Sequence, residues 1–246
     1  MYGDPDSFNQ QYSPTPELTN IGSFEKCWRV DGGKWRIIKR GNELKRFSEL
    51  FICRFGRALE FCMADYQTAN GTVESPDFTD GALVNYEAAE GIVGENEDYC
   101  FNFNEFYKLS KPLAEQYLQI IYLDALCFNM DRHTKNYGVL RDTESGGILR
   151  MAPNFDNNIA LFARGVPQSL DRVNDKLISF FLELLTNDGR AFEMAKRLPV
   201  PDRETIKRCA GQINVPVDIK LLDAFILNGA ERIAEFFSSS FAQKLK

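Results

Sequence analysis

The stretch that most constrains this chain is 128–156, FNMDRHTKNYGVLRDTESGGILRMAPNFD. It begins where an apolar helical run, 120–128, gives out, and it places Asp131, His133 and Asn136 on a short polar loop. Residues 137–140 and 148–152 then read as two strands around a Thr-Glu-Ser-Gly-Gly turn, a hairpin that delivers a second carboxylate, Asp156. A carboxylate and an amide on one loop, with another carboxylate after a hairpin, are what phosphoryl transfer requires. One group accepts a hydroxyl proton, and two oxygen ligands hold Mg²⁺ against nucleotide phosphates. The plainer alternative is a solvated loop whose Asp and Asn make turn bonds.

Composition sets the frame. The 246 residues are 44% hydrophobic and 26% charged, enough apolar material for a sizeable core in one or two domains. The formal net charge of −6 gives no basic footprint for nucleic acid or for an anionic membrane. The cysteines at 27, 53, 62, 100, 127 and 209 form no CxxC pair and read as small core hydrophobes in a reducing compartment. A single histidine excludes a His-based zinc site. With no basic-then-apolar leader and no long apolar window, the expectation is a cytoplasmic protein.

Residues 1–16 are polar and read as a flexible lead-in. Residues 15–26 read as a loop before a strand at 27–30, and Asp31-Gly32-Gly33 turns the chain into a second strand at 35–39. Alternation puts Lys39 on one face with Trp35 and Ile37, and Arg36 and Ile38 on the other. An ammonium beside two large apolar groups suits a face that roofs a nucleotide pocket, the amine reaching the α- and β-phosphates. A strand-end lysine snorkelling to water is the alternative. Asn42 caps a helix at 43–59 whose stripe is Leu44, Phe47, Leu50, Phe51, Phe55, Ala58 and Leu59. Glu49 lies beside that stripe, with Arg46 and Cys53 on its own face.

Further strands are expected at 61–66 and 71–75, and 80–98 reads as an acidic surface excursion with no assigned chemistry. Ser110 caps, and Pro112 opens, a helix running to about 128. Its Asp124 shares a side with Tyr117, Ile120, Ile121 and Phe128 and must find partners, because an unpaired buried carboxylate is costly. It is expected to lie under the polar loop and bond the loop backbone or Arg132. Four more amphipathic helices are expected at 168–185, 189–197, 202–213 and 218–237.

The set Asp131, His133, Lys135, Asn136, a hairpin, then Pro153, Phe155 and Asp156 resembles the catalytic core of the HipA-like Ser/Thr protein kinases. Asp131-Arg132-His133 with Asn136 is also similar to the loop of phosphoinositide kinases. Ser48-Glu49-Leu50 is similar to the family's pattern on the helix whose glutamate pairs with the strand lysine, and Asn157 follows Asp156 as in that family. The resemblance covers roughly 15–162. It implies an α+β, bilobal protein-kinase-like fold, with a small mixed β-rich N-lobe at 17–79 and a mainly helical C-lobe at 80–246. It further implies ATP, Mg²⁺ and a Ser/Thr protein substrate.

By resemblance, Asp131, His133 and Lys135 are catalytic, Asn136 and Asp156 hold the metal, and Lys39, Glu49, Glu74, Ser75 and Phe78 bind nucleotide. A cationic His133 would donate to the γ-phosphate. Residues 73–78 look like the hinge, with Pro76 removing one backbone donor. The loop before the first strand carries only Gly22 where the family has more glycine, and its Thr19 and Ser23 are candidate autophosphorylation sites. Some relatives are toxins restrained by a DNA-binding partner, which implies an antitoxin-like or regulatory protein partner; the net charge of −6 leads to the expectation of neither direct nucleic-acid nor membrane contact. The N-terminal subdomain of larger members is expected to be missing. Two other readings stay open: a pseudokinase, suggested by the glycine-poor loop, and a small-molecule or phosphoinositide kinase, favoured by Asp131-Arg132-His133 and disfavoured by the acidic charge.

Overall fold

The computed structural model describes residues 25–81, 83–165 and 175–244. Thr19, Ser23 and the start of the expected 168–185 helix lie outside them.

Strands β1 (Glu25–Asp31) and β2 (Lys34–Arg40) form a hairpin closed by Gly32 and Gly33, both at positive φ (56° and 80°). That is the backbone a two-residue hairpin turn demands, and glycine adopts it without penalty. The register fixes which side chains share a face: Lys26 opposes Lys39, Trp28 opposes Ile37, and Val30 opposes Trp35. Strand β4 (Thr72–Pro76) pairs with β2, and β3 (Gln67–Ala69) with β4, in an antiparallel sheet of order β1-β2-β4-β3.

Helix α1 (Glu43–Ala58) begins at Asn42, whose side chain accepts from Lys45 N at 2.9 Å. Phe47, Phe51 and Phe55 follow at helical spacing and stack at 5.5 and 5.4 Å inside the core.

The expected strand at 61–66 does not form. Phe61, Met63, Ala64 and Tyr66 are all buried, so the segment lacks the in–out alternation of a half-exposed strand. It meets the post-hairpin segment instead, through a parallel bridge Met63–Asn154 and the bonds Asn154 N to Cys62 O (2.8 Å) and Ala64 N to Asn154 O (3.0 Å).

The acidic 80–98 segment is also more than an excursion. It supplies strand β5 (Val84–Ala88) and the short helix α2 (Glu90–Val93). β5 pairs with β6 (Gly138–Asp142), which pairs with β7 (Ile148–Met151). The backbones of β5 and β6 come so close that a Cβ on Gly138 would sit 2.1 Å from Glu87 O.

The rest is helical: α3 (Tyr99–Leu109), α4 (Lys111–Cys127), α5 (Asp175–Asn187), α6 (Gly189–Ala195), α7 (Arg203–Ala210) and α8 (Ile219–Lys244). α4 is the central one. From Tyr117 to Cys127 nearly every side chain is buried, and Phe128 ends it in the left-handed conformation (φ 54°), turning the chain into the polar loop. Of the cysteines, Cys62 is exposed rather than core, because its segment bonds through its backbone and turns that side chain outward.

Candidate active site

Lys39 does not reach water. Its amine bonds Glu49 Oε1 (3.2 Å) and Asp156 Oδ1 (2.9 Å) and lies 4.7 Å above the Tyr66 ring, with the side chain only 3% exposed. Burial works against its charge, but Asp156 and then Glu49 outweigh burial and hold the amine well above the usual lysine range. Asp156 also accepts from Lys26 (3.2 Å to Oδ2) and from Asn158 Nδ2 (2.6 Å). Burial would raise its pKa, yet Lys39 and Lys26 pull it below the ordinary carboxylate range. Glu49 takes a second bond from Asn157 N (3.3 Å), while Ser48 Oγ donates to Ala160 O (2.7 Å). Helix α1 is thereby tied to the segment that follows the hairpin.

Lys26 is the residue that sequence reasoning missed. It was assigned to the loop before the first strand, but β1 begins at Glu25 and the hairpin register sets Lys26 directly across from Lys39.

The polar loop is organised by Arg132, whose side chain is 3% exposed. Its Nε and Nη2 bond the Asp124 carboxylate (2.8 and 3.0 Å), and Nη1 bonds the carbonyls of Asn136 and Phe155 (both 2.9 Å). Nη2 also reaches Oδ1 of Asn154 (3.0 Å) and Asn157 (2.8 Å). Burial lowers the guanidinium pKa, but Asp124 more than reverses this and raises it. The partner expected for Asp124 is therefore the one it has, and Asn129 Nδ2 adds a further bond at 3.1 Å.

Asp131 itself is about a third exposed and faces Arg164 Nη2 at 4.0 Å. Asn136 Nδ2 donates to Asp131 O (2.8 Å), which leaves its side-chain oxygen without a hydrogen-bond partner among the described residues. His133 Nδ1 accepts from Lys135 N (3.2 Å). The Lys135 amine bonds Glu90 Oε1 (3.2 Å), so the acidic segment does carry a group that meets the site.

These elements enclose a cleft of about 760 Å³ between the four-stranded sheet and the β5–β7 sheet. Lys26, Trp28, Trp35, Ile37 and Lys39 line it from β1 and β2, as the alternation of β2 predicted for its three residues. Opposite stand Phe78, Tyr86 and Phe155, mutually in ring contact at 5.5–5.8 Å. Ser75, Phe78, Lys135, Asn136 and Asp156 reach the lining, whereas Asp131 and His133 do not. Glu74 is also absent from it. Its carboxylate turns to the other face of β4, where it binds Arg29 (2.8 Å) and Arg36 (3.4 Å).

One neutral and one anionic oxygen donor, Asn136 and Asp156, on the wall of a cleft lined by two ammonium groups suit a magnesium ion. Magnesium takes one or two protein oxygens and fills its octahedron with phosphate and water.

No family model and no curated protein sequence matches the chain. Among solved structures, the Helicobacter pylori proinflammatory kinase CtkA aligns with a TM-score of 0.62 at 17% identity, covering 84% of this chain and 89% of that one. HipA of the Shewanella oneidensis MR-1 toxin–antitoxin system, solved with HipB and operator DNA, aligns with a TM-score of 0.54 at 16% identity. That match covers 90% of this chain and 66% of HipA. At such identities the likeness is one of fold. An antiparallel sheet region followed by a mainly helical part is the architecture this chain shares with both.

Proposed function

We propose that this chain, built on the fold of the HipA-like kinases, is an ATP- and Mg²⁺-dependent phosphotransferase acting on Ser or Thr of a protein. One observation carries the reading: the amine of Lys39 is bonded to both Glu49 and Asp156 in the wall of a cleft that Asn136 also lines. A lysine fixed by a helix glutamate, beside a carboxylate and an amide, is the arrangement that holds a nucleotide triphosphate for transfer.

In this reading Lys39 and Lys26 bind the phosphates, Glu49 orients Lys39, and Ser75 and Phe78 border the base. Asn136 and Asp156 hold the metal. When bound, magnesium neutralises charge on the β- and γ-phosphates. Asp131 orients the substrate hydroxyl and takes its proton as that oxygen attacks the γ-phosphorus. The bond from γ-phosphorus to the bridging oxygen breaks, and ADP leaves with the electron pair. Lys135, paired with Glu90, borders the phosphates, and His133 completes the loop behind it. A regulatory protein partner belongs to the proposal, by analogy with the HipA–HipB complex, as does a cytoplasmic setting. Among the described residues no helix is long and apolar enough to cross a membrane.

The test is incubation with radiolabelled ATP and Mg²⁺, alone and with cell lysate, comparing wild type with Asp131→Ala and Asp156→Ala. Label on protein that both substitutions abolish is the expected result. Magnesium-dependent nucleotide binding without transfer would replace the kinase with a pseudokinase, and absence of nucleotide binding would end the reading.

A further inference from the structure

We propose that Arg132 is a positioning residue that sets the affinity of the site for its metal. The inference rests on the phosphotransferase reading above and concerns the pair Asn136 and Asp156. These two side chains come from separate segments, 131–136 and 154–158, with the whole β6–β7 hairpin between them in sequence. Arg132 bonds both segments, alongside Asn129, whose side chain accepts from Asp131 N and donates to Asn157 Oδ1. One nitrogen, Nη1, donates to the carbonyl of Asn136 itself and to the carbonyl of Phe155, the residue immediately before Asp156. Nη2 then bonds the Asn154 and Asn157 side chains on either side of Phe155–Asp156.

The far edge of the guanidinium is anchored on Asp124 of α4 through two bonds, so the fork cannot rotate without losing them. A planar group with its donors in fixed directions can hold two backbones at a set separation, which a flexible ammonium cannot do. The backbone it holds is in a demanding shape: Asp156 has a φ of 61°, in the left-handed region. Arg132 does not itself line the cleft, although it bonds the carbonyls of two residues that do, Asn136 and Phe155. Its action is therefore on how the two ligand oxygens are presented together. Lys26 and Lys39 share the Asp156 carboxylate but stand on β1 and β2, whose backbone Arg132 does not bond among the described residues.

This gives an outcome specific to metal. In calorimetric titrations of the full chain with ATP, Arg132→Lys is expected to raise the Mg²⁺ concentration for half-maximal nucleotide binding by about 10- to 100-fold, the usual cost of disturbing a partner behind a metal ligand. Nucleotide binding in EDTA stays at the wild-type level. Asp124→Asn, which keeps the guanidinium and its carbonyl contacts but loosens its anchor, is expected to shift the Mg²⁺ requirement in the same direction by less. It also serves if the lysine variant does not fold. A folded variant with an unchanged Mg²⁺ requirement overturns the inference alone, as does an equal loss with and without metal, which marks a general structural role. A wild-type protein whose nucleotide binding ignores Mg²⁺ overturns the phosphotransferase reading and this inference with it.

Discussion

Arg132 and Lys39 are both buried cations held by carboxylates, yet their surroundings satisfy them differently. The guanidinium meets six oxygens, two of them on Asp124 and two of them backbone carbonyls. Around Lys39 the charges are shared: one carboxylate, Asp156, serves Lys39, Lys26 and Asn158, and Glu49 Oε2 has no hydrogen-bond partner among the described residues. A fork with directed donors fixes backbone, whereas an ammonium is a point charge that changes anions without rebuilding its neighbours. The first arrangement is suited to hold a site in place. The second is suited to hand its lysines to a ligand.

The largest expected effect tests the rigid half of that contrast. Arg132→Met leaves Asp124 buried without its cation and should lower stability by about 3–5 kcal/mol, read from urea unfolding. A loss under about 0.5 kcal/mol would erase the distinction, since that is the range of an ordinary surface substitution.

A capping carboxylate outside both clusters gives the scale between them. Asp188 starts α6, accepting from Arg190 N (2.8 Å) and Ala191 N (3.2 Å), and Asp188→Ala should cost about 1 kcal/mol. The Arg190 side chain and these backbone amides hold the Asp188 carboxyl below its ordinary value. Its contribution is therefore complete above the unfolded value of about 4 and fades as pH falls through the lower folded value. The gap between wild type and variant in urea midpoints should close in acid.

The smallest stability effect is expected in the adaptable half. Glu49→Gln keeps an acceptor for Lys39 and for Asn157 N, and it removes the unpartnered anionic oxygen. Stability should move by less than about 1 kcal/mol, while magnesium-dependent label transfer falls because Lys39 loses its anion. A fall in stability as large as that of Arg132→Met would make the two clusters equivalent.

What the sequence disclosed followed from periodicity and loop chemistry. Period-two alternation put Lys39, Ile37 and Trp35 on one face, and all three line the cleft. The apolar stripe of α4 flagged Asp124 as needing a partner in the loop backbone or Arg132, and the partner is Arg132. Other features depend on contacts that no local window contains. Lys26 meets Asp156 across 130 positions, and its place opposite Lys39 follows only once the hairpin register is set. Strand β5 was hidden by acidic composition, although Val84, Tyr86 and Ala88 alternate with Asn85 and Glu87 as a half-buried strand should. For Glu74 the segment was chosen without a face: it lies one step from Ser75, and one step in a strand reverses the side.

The chain has two tryptophans, and Trp28 and Trp35 both line the cleft, their rings edge to face at 6.4 Å. All the indole emission of this protein therefore originates at the rim of one pocket. A change in its intensity or wavelength on adding a nucleotide reports occupancy of that pocket, with no label attached and no background from a distant fluorophore.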